Sequence, residues 1–284
     1  WHHYLDTHLP YDPPNAAEFA SLLPKNDPDA VTRLNLVKTS PTIPASAATF
    51  RRADYPAIRA LYDAQFTVFD DWFKSLWAFL DKSGLSETTI VILTTDHGEE
   101  LLERGHVGHA STTRVGHLYE EIAHIPMIIW LPPHLRRNEA PAEIKTPSSH
   151  IDLMPTIFNF LGLKPDTPFE GYDLFQLPHK RVWTAVTSKA GFAEDDPSHI
   201  DDFVAAIVDE ELKAQLHLIK GAVTRAELYN LHQDPNELEN LADSEPAALT
   251  RLIDALTPQI LTMRIVKPNS SATTQIIEDA TPPP

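Results

Sequence analysis

Three short stretches hold residues whose types and spacing could do chemistry. Thr94-Thr95-Asp96-His97-Gly98 follows directly on a β-branched, apolar run at residues 88–95. An Asp and a His side by side beyond a strand end can give one oxygen and one nitrogen to a divalent cation. Gly98 lets the backbone turn sharply or approach a ligand closely. Gly105-His106-Val107-Gly108-His109 comes next, followed after a short spacer by His117-Leu118-Tyr119-Glu120-Glu121. Two Gly-His steps suit side chains converging on an anion or a metal, and Gly105 and Gly108 argue against a helix there. The third stretch, Asp6-Thr7-His8-Leu9-Pro10-Tyr11, places a histidine after an expected strand end, held by nearby prolines. Of the 14 histidines, three fall in the first eight residues and five between His97 and His124. Such bunching points to a site, and an imidazole there can bind or transfer a proton near neutral pH.

Other acidic pairs read differently. Asp70-Asp71 read as the solvated face of a helix, and Asp195-Asp196 and Asp201-Asp202 as surface loop charge. Glu99-Glu100 read as the opening of a short helix, where carboxylates suit the N-terminal dipole. The aromatic stripe of Phe66, Phe69, Phe73 and Trp77 reads as core packing. The chain has no phosphate-binding Walker loop, G-x-G-x-x-G, His-Glu-x-x-His or nucleophile elbow.

These stretches need elements to position them. Residues 1–14 read as a strand end running into a proline-rich loop, and residues 15–54 as a polar excursion with short helical pieces. Apolar residues at spacings of three and four predict a helix over residues 56–82, with Gly84 at its C-cap. The continuous apolar runs at 88–95 and 125–131 suit strands buried on both faces of a parallel sheet. Another helix is expected over 151–161, stopped by Gly162. Alternation of this kind predicts an α/β layered fold, in which ligands bind beyond the carboxyl ends of strands. Short runs at 182–187, 203–208, 212–219 and 227–231 predict a small antiparallel sheet, with a helix at 249–261 packed on it. The expected division is a core at 1–180, a sheet subdomain at 181–265 and a flexible tail at 266–284 rich in Ser, Thr and Pro.

Composition bounds the function classes. With 42% hydrophobic residues the chain can bury a sizeable core. A net charge of −17, from 23 basic and 40 acidic residues, argues against nucleic-acid and polybasic-membrane binding. The absence of cysteine excludes disulfides, thiolate metal sites and a cysteine nucleophile within these residues. No apolar run approaches the ~18 residues of a membrane span.

In their order, the motifs resemble those of the sulfatase family of the alkaline-phosphatase-like superfamily. Thr7-His8-Leu9-Pro10-Tyr11, residues 94–100, Gly108-His109 with Leu118-Tyr119-Glu120-Glu121, residues 125–129 and residues 150–157 carry the resemblance. Gly171-Tyr172-Asp173-Leu174, residues 227–231 and Asp234-Pro235-Asn236-Glu237-Leu238-Glu239-Asn240-Leu241 extend it to about residue 260. The resemblance implies an alkaline-phosphatase-like sheet with helices on both faces, present in part, and hydrolysis of a small-molecule or glycan sulfate ester. It implies Asp96 and His97 as the second pair of metal ligands. The cation would be calcium, or zinc or manganese in a phosphoryl- or phosphonate-cleaving relative. His8 corresponds to the histidine that contacts the sulfate, and His109 to the basic residue near the leaving-group oxygen. Residues 110–116 lengthen the spacing after His109, so His117 or Arg114 could take that role instead. The family's Cys/Ser-x-Pro-x-Arg motif, source of its formylglycine nucleophile, has no counterpart here, nor has the first acidic ligand pair. The chain is therefore expected to be the C-terminal portion of such an enzyme, or a non-catalytic fragment.

Overall fold

A computed structural model describes residues 2–43, 47–109, 117–136, 143–176, 182–188, 203–220 and 222–262. Residues 2–5 carry no regular structure, so the expected strand end at the start is replaced by a coil that turns at His8. The polar stretch after it is more than an excursion. Its 3-10 turn Ala16–Leu22 and helix α1 (Ala30–Thr39) bring Ala16, Ala30, Leu34, Val37 and Ile43 into a core with Leu9 and Tyr11. Buried Arg33 is compatible with that core because its guanidinium forks onto Asp54 at 2.6 and 2.7 Å and reaches Asp27 at 2.6 Å.

Helix α2 (Tyr55–Lys82) begins with Pro56 in its first turn and ends before Gly84, whose φ of +73° is left-handed. Its first half buries Ala57, Ile58, Leu61 and Gln65 against the core. Its second half differs from the expectation of core packing. Phe69, Phe73 and Trp77 are half-buried and Phe66 is exposed, stacked among Tyr4, Trp72 and Trp130 rather than under another layer. An amphipathic period fixes which side of a helix is apolar, not whether anything covers it.

Strands β1 (Val91–Thr94) and β4 (Met127–Trp130) pair antiparallel, with Val91 opposite Trp130 and Thr94 opposite Met127. Neither is deeply buried, and Ile128 is 59% exposed. This corrects the reading of two parallel, fully buried strands, because a continuous apolar run does not encode the direction of its neighbour. Between them, β2 (Glu100–Leu101) and β3 (Val107–Gly108) form a small hairpin, closed through Leu102 and Gly105 at positive φ. This hairpin replaces the short helix expected at Glu99-Glu100; Leu101 and Val107 anchor it in the first core. Helix α3 (Glu120–Ala123) then leads into β4.

A 3-10 turn at His150–Asp152, capped by Ser149 and Asp152, opens α4 (Leu153–Leu161), which stops at Gly162 with φ +64°. Gly171 sits so close that a Cβ there would lie 2.1 Å from Ile151 O, and Tyr172 N donates to buried Asp152.

The last elements form the expected antiparallel sheet, β5 (Val182–Ser188), β6 (Phe203–Asp209), β7 (Leu212–Ile219) and β8 (Ala222–Asn230), in that order. Helix α5 (Pro246–Thr262) packs Leu252 and Leu256 on Ile207, Leu216 and Leu228. On the opposite face Lys213, Gln215, His217 and Glu227 are buried. Residues 266–284 and Arg114 lie outside the described residues.

Candidate active site

The Asp96-His97-Gly98 turn is held from behind. Gly98 N donates to Ile122 O at 2.8 Å, and a Cβ on Gly98 would lie 2.1 Å from Glu121 O. Only glycine fits so close a backbone approach. His97 N donates to Asp96 Oδ1 at 3.1 Å, and His97 Nδ1 to Gly98 O at 2.7 Å. A carbonyl can only accept, so Nδ1 carries the hydrogen and Nε2 the lone pair. Asp96 Oδ2 stands 3.7 Å from that Nε2. Bonds of about 2.0–2.5 Å from one shared cation span such a gap. The backbone bond at Nδ1 is the kind of support that fixes a ligating imidazole.

Around this pair the fold gathers two of the other expected histidines. The rings of His97 and His109 stack at 4.1 Å between centroids, and His8 meets His109 edge-on at 4.8 Å. His8 Nδ1 donates to Leu9 O at 2.6 Å, and His109 Nδ1 to Glu99 Oε1 at 3.0 Å. All three rings are thus tied through Nδ1 to an oxygen acceptor, and on each any chemistry falls to Nε2. Neutral, such a group offers lone pairs to protons or a metal; protonated, it offers N–H donors to an oxyanion. Tyr11 and Tyr62 close the site beside Glu99. Burial, then the Glu99 charge, pushes the Tyr62 hydroxyl up to about 12 and the Tyr11 hydroxyl well above its ordinary value. Tyr11 is fully buried, yet its hydroxyl completes no well-aligned hydrogen bond.

His117 is placed elsewhere. Its Nε2 meets Glu100 Oε2 at 3.1 Å, its ring packs on Tyr119, and its buried Nδ1 has no hydrogen-bond partner. Glu100 Oε1 accepts Arg104 N and His106 N, which closes the β2–β3 hairpin. Ligand atoms of Glu100, His117 and Glu121 lie within 4.8 Å of one another. Arg104 already donates to Glu121 at 3.1 Å and caps the Tyr119 ring at 4.0 Å, so this cluster is balanced by a fixed cation of the protein itself.

The turn that backs Gly98 is bolted to the C-terminal sheet. Leu118 N donates to Gln215 Oε1 at 2.5 Å, and Tyr119 OH to Glu227 Oε1 at 2.9 Å. Glu120 N donates to Glu237 Oε2 at 2.6 Å. Lys213 Nζ bonds Glu120 at 2.8 Å and lies 3.0 Å from Glu237 Oε1, an ion pair without hydrogen-bond alignment. Burial raises Glu237, with Lys213 opposing. Burial also works against charge on Glu227, but donors from His217, Gln215 and Tyr119 outweigh it and hold that carboxyl at about 2.

Sequence reasoning brought out His8, Asp96, His97 and His109 as candidates, and the structure brings them together. It missed Glu99, Tyr11 and Tyr62. A carboxylate after Asp-His-Gly carries no local signal that it points back at a histidine ten residues on, and tyrosines at core spacing look like packing.

The chain matches the sulfatase family model over residues 1–163 and belongs to that family. Its fold is that of the alkaline-phosphatase-like sulfatases, with the small antiparallel sheet at the C-terminal end. It is 28% identical over 220 residues to the multifunctional alkaline phosphatase superfamily protein PehA of Trinickia caryophylli, covering 72% of this chain and 40% of that protein. To arylsulfatase K of Xenopus laevis it is 27% identical over 205 residues, covering 70% and 36%. The phosphonate monoester hydrolase of Silicibacter pomeroyi superposes with a TM-score of 0.61 at 19% identity, over 89% of this chain and 50% of that one. The chain therefore spans at most 40% of the length of these two curated relatives.

Proposed function

We propose that this chain is part of a sulfuric ester hydrolase acting on a small-molecule or glycan sulfate ester. The observation that carries the reading is the gathering of His8, His97 and His109 beside Asp96, each ring fixed through Nδ1. Asp96 and His97 would hold a divalent cation, which would supply charge neutralisation at the ester oxygens. His8 binds a sulfate oxygen. His109 gives a proton from Nε2 to the leaving alcohol. We assign this role to His109 rather than His117 because His117 is engaged with Glu100. The nucleophile, a formylglycine on this reading, and the remaining metal ligands belong to polypeptide outside these residues. The half-exposed aromatic row of α2 and the exposed face of β4 support further polypeptide packing on them. We infer a division of these residues into a core at 1–180, a sheet subdomain at 181–265 and a tail at 266–284.

A second reading is hydrolysis of a phosphate or phosphonate ester. The nitrogen donor of His97 favours it, since imidazole suits zinc better than calcium, as does the likeness to a phosphonate monoester hydrolase. The test is a protein extended by the upstream coding sequence, assayed on an aryl sulfate and a phosphonate monoester with its metals counted. The sulfate ester is expected to turn over faster with calcium bound, and Asp96→Ala to abolish turnover. Two transition metals per chain with faster phosphonate cleavage would replace the sulfatase reading. Residues 1–284 alone are expected to cleave neither ester. Aryl sulfate turnover by them, lost in Asp96→Ala, would place the nucleophile within this chain.

A further inference from the structure

We propose that Glu99 is a positioning residue of the histidine site: its carboxylate grips His109 by Nδ1 and so sets which nitrogen that ring presents beside His97 and His8. The Glu99 side chain is only 6% exposed, and its Oε1 lies 3.0 Å from His109 Nδ1. A buried carboxylate needs donors or a cation in exchange for its lost hydration. Tyr11 makes no well-aligned bond to Glu99, so His109 is its principal partner. An ionised carboxylate only accepts, which puts the ring hydrogen on Nδ1 and gives Nε2 to the chemistry.

The neighbouring pair shows that this choice of nitrogen is not an accident of sequence. Glu100 also holds a histidine, His117, but through Nε2. Two adjacent glutamates, one just before β2 and one opening it, therefore fix two histidines by opposite nitrogens. The ring held by Glu100 packs on Tyr119, whose hydroxyl donates to Glu227 of the C-terminal sheet, whereas the ring held by Glu99 stacks on the expected metal ligand His97. The use of Nε2 in turnover rests on the hydrolase reading; the tautomer of His109 does not.

The experiment is 15N-resolved imidazole spectroscopy of the full 284-residue chain, at a pH where the rings are neutral. His109 is expected as the Nδ1–H form and His117 as the Nε2–H form. In Glu99→Ala the two ring-nitrogen shifts of His109 should move toward exchange of roles, because a solvated imidazole prefers Nε2–H, while those of His117 stay in place. Glu99→Leu keeps much of the volume and removes the acceptor altogether, so it should move the same signals if the alanine variant fails to fold. A wild-type His109 in the Nε2–H form, or ring signals unchanged in the variants that fold, would overturn the proposal. Neither outcome depends on whether any ester is cleaved.

Discussion

At the end of β1 the Asp96 carboxylate is 74% exposed, whereas on the C-terminal sheet the side chains of Lys213 and Glu227 expose nothing. Both regions are built from carboxylates, histidines and tyrosines. In the sheet seam nearly every polar atom is spent on a protein partner, with Glu227 accepting from Gln215, His217, Tyr119 and Tyr229. In the histidine site each ring is tied through Nδ1, and the Asp96 carboxylate faces solvent. The difference separates polar groups that hold the fold from polar groups that the proposed function assigns to a ligand, and the two should respond oppositely to substitution.

The largest effect is expected at Lys213. Removing one partner of a buried ion pair leaves the other charge uncompensated, at a cost of about 3–5 kcal/mol. Lys213→Met should lower the denaturation midpoint accordingly, and adding Glu237→Leu should recover much of the loss. A Lys213→Met chain as stable as wild type would show that the seam is solvated.

The pH response of the seam comes next. Glu227 has a folded pKa of about 2 against an ordinary 4.5, so the unfolded chain takes up the proton first as pH falls. Its stabilising contribution is complete above pH 4.5 and is lost as pH drops toward 2. The loss is on the order of 2 kcal/mol, reduced from the full shift because solvent reaches the neighbouring Arg225. Denaturant melts across this window should show the decline, and Glu227→Gln should flatten it. An equal decline in that variant would assign the acid sensitivity to other carboxylates.

Gly98→Ala links the two regions. The added methyl would meet Glu121 O, so either the Asp96-His97 turn or α3 must shift, at about 1–3 kcal/mol. Gly171→Ala meets Ile151 O at the same 2.1 Å and serves as a control. Both should lower the melting temperature, but only Gly98→Ala should weaken the response to an added divalent cation. Equal responses would mean that the sheet does not position the turn.

How much of this could be read beforehand differs between the regions. The histidine site was largely legible, because Asp96-His97-Gly98 and the Gly-His steps are local signals set beyond a strand. The seam was not. Lys213, Gln215 and His217 alternate with Ala214, Leu216 and Leu218, which reads as a solvent face. Nothing local says that Leu118–Glu120, almost a hundred residues earlier, lies on top of it. The direction of β4 and the hairpin at Glu100 were hidden for the same reason, since both depend on where the chain returns. Three of the four strands around Lys213 were read within one residue of their observed bounds, because alternation and hairpin turns are written within a few residues; the fourth, expected at 227–231, begins earlier, at Ala222.

The smallest effect on stability is expected at Asp96, the more exposed of the two proposed ligands. Asp96 accepts one hydrogen bond, from His97 N, and otherwise faces solvent. Asp96→Ala should change the unfolding free energy by no more than about 0.5 kcal/mol. Its signature lies in linkage instead. A cation that binds only the folded chain at ten times its dissociation constant adds about 1.4 kcal/mol. With only the two proposed ligands, wild type should show such a rise only at high calcium or manganese concentrations. The variant should show none, while Lys213→Met, though far less stable, should keep part of the increment. A rise of equal size in Asp96→Ala would put the cation elsewhere, with Glu100, His117 and Glu121 the next group to test.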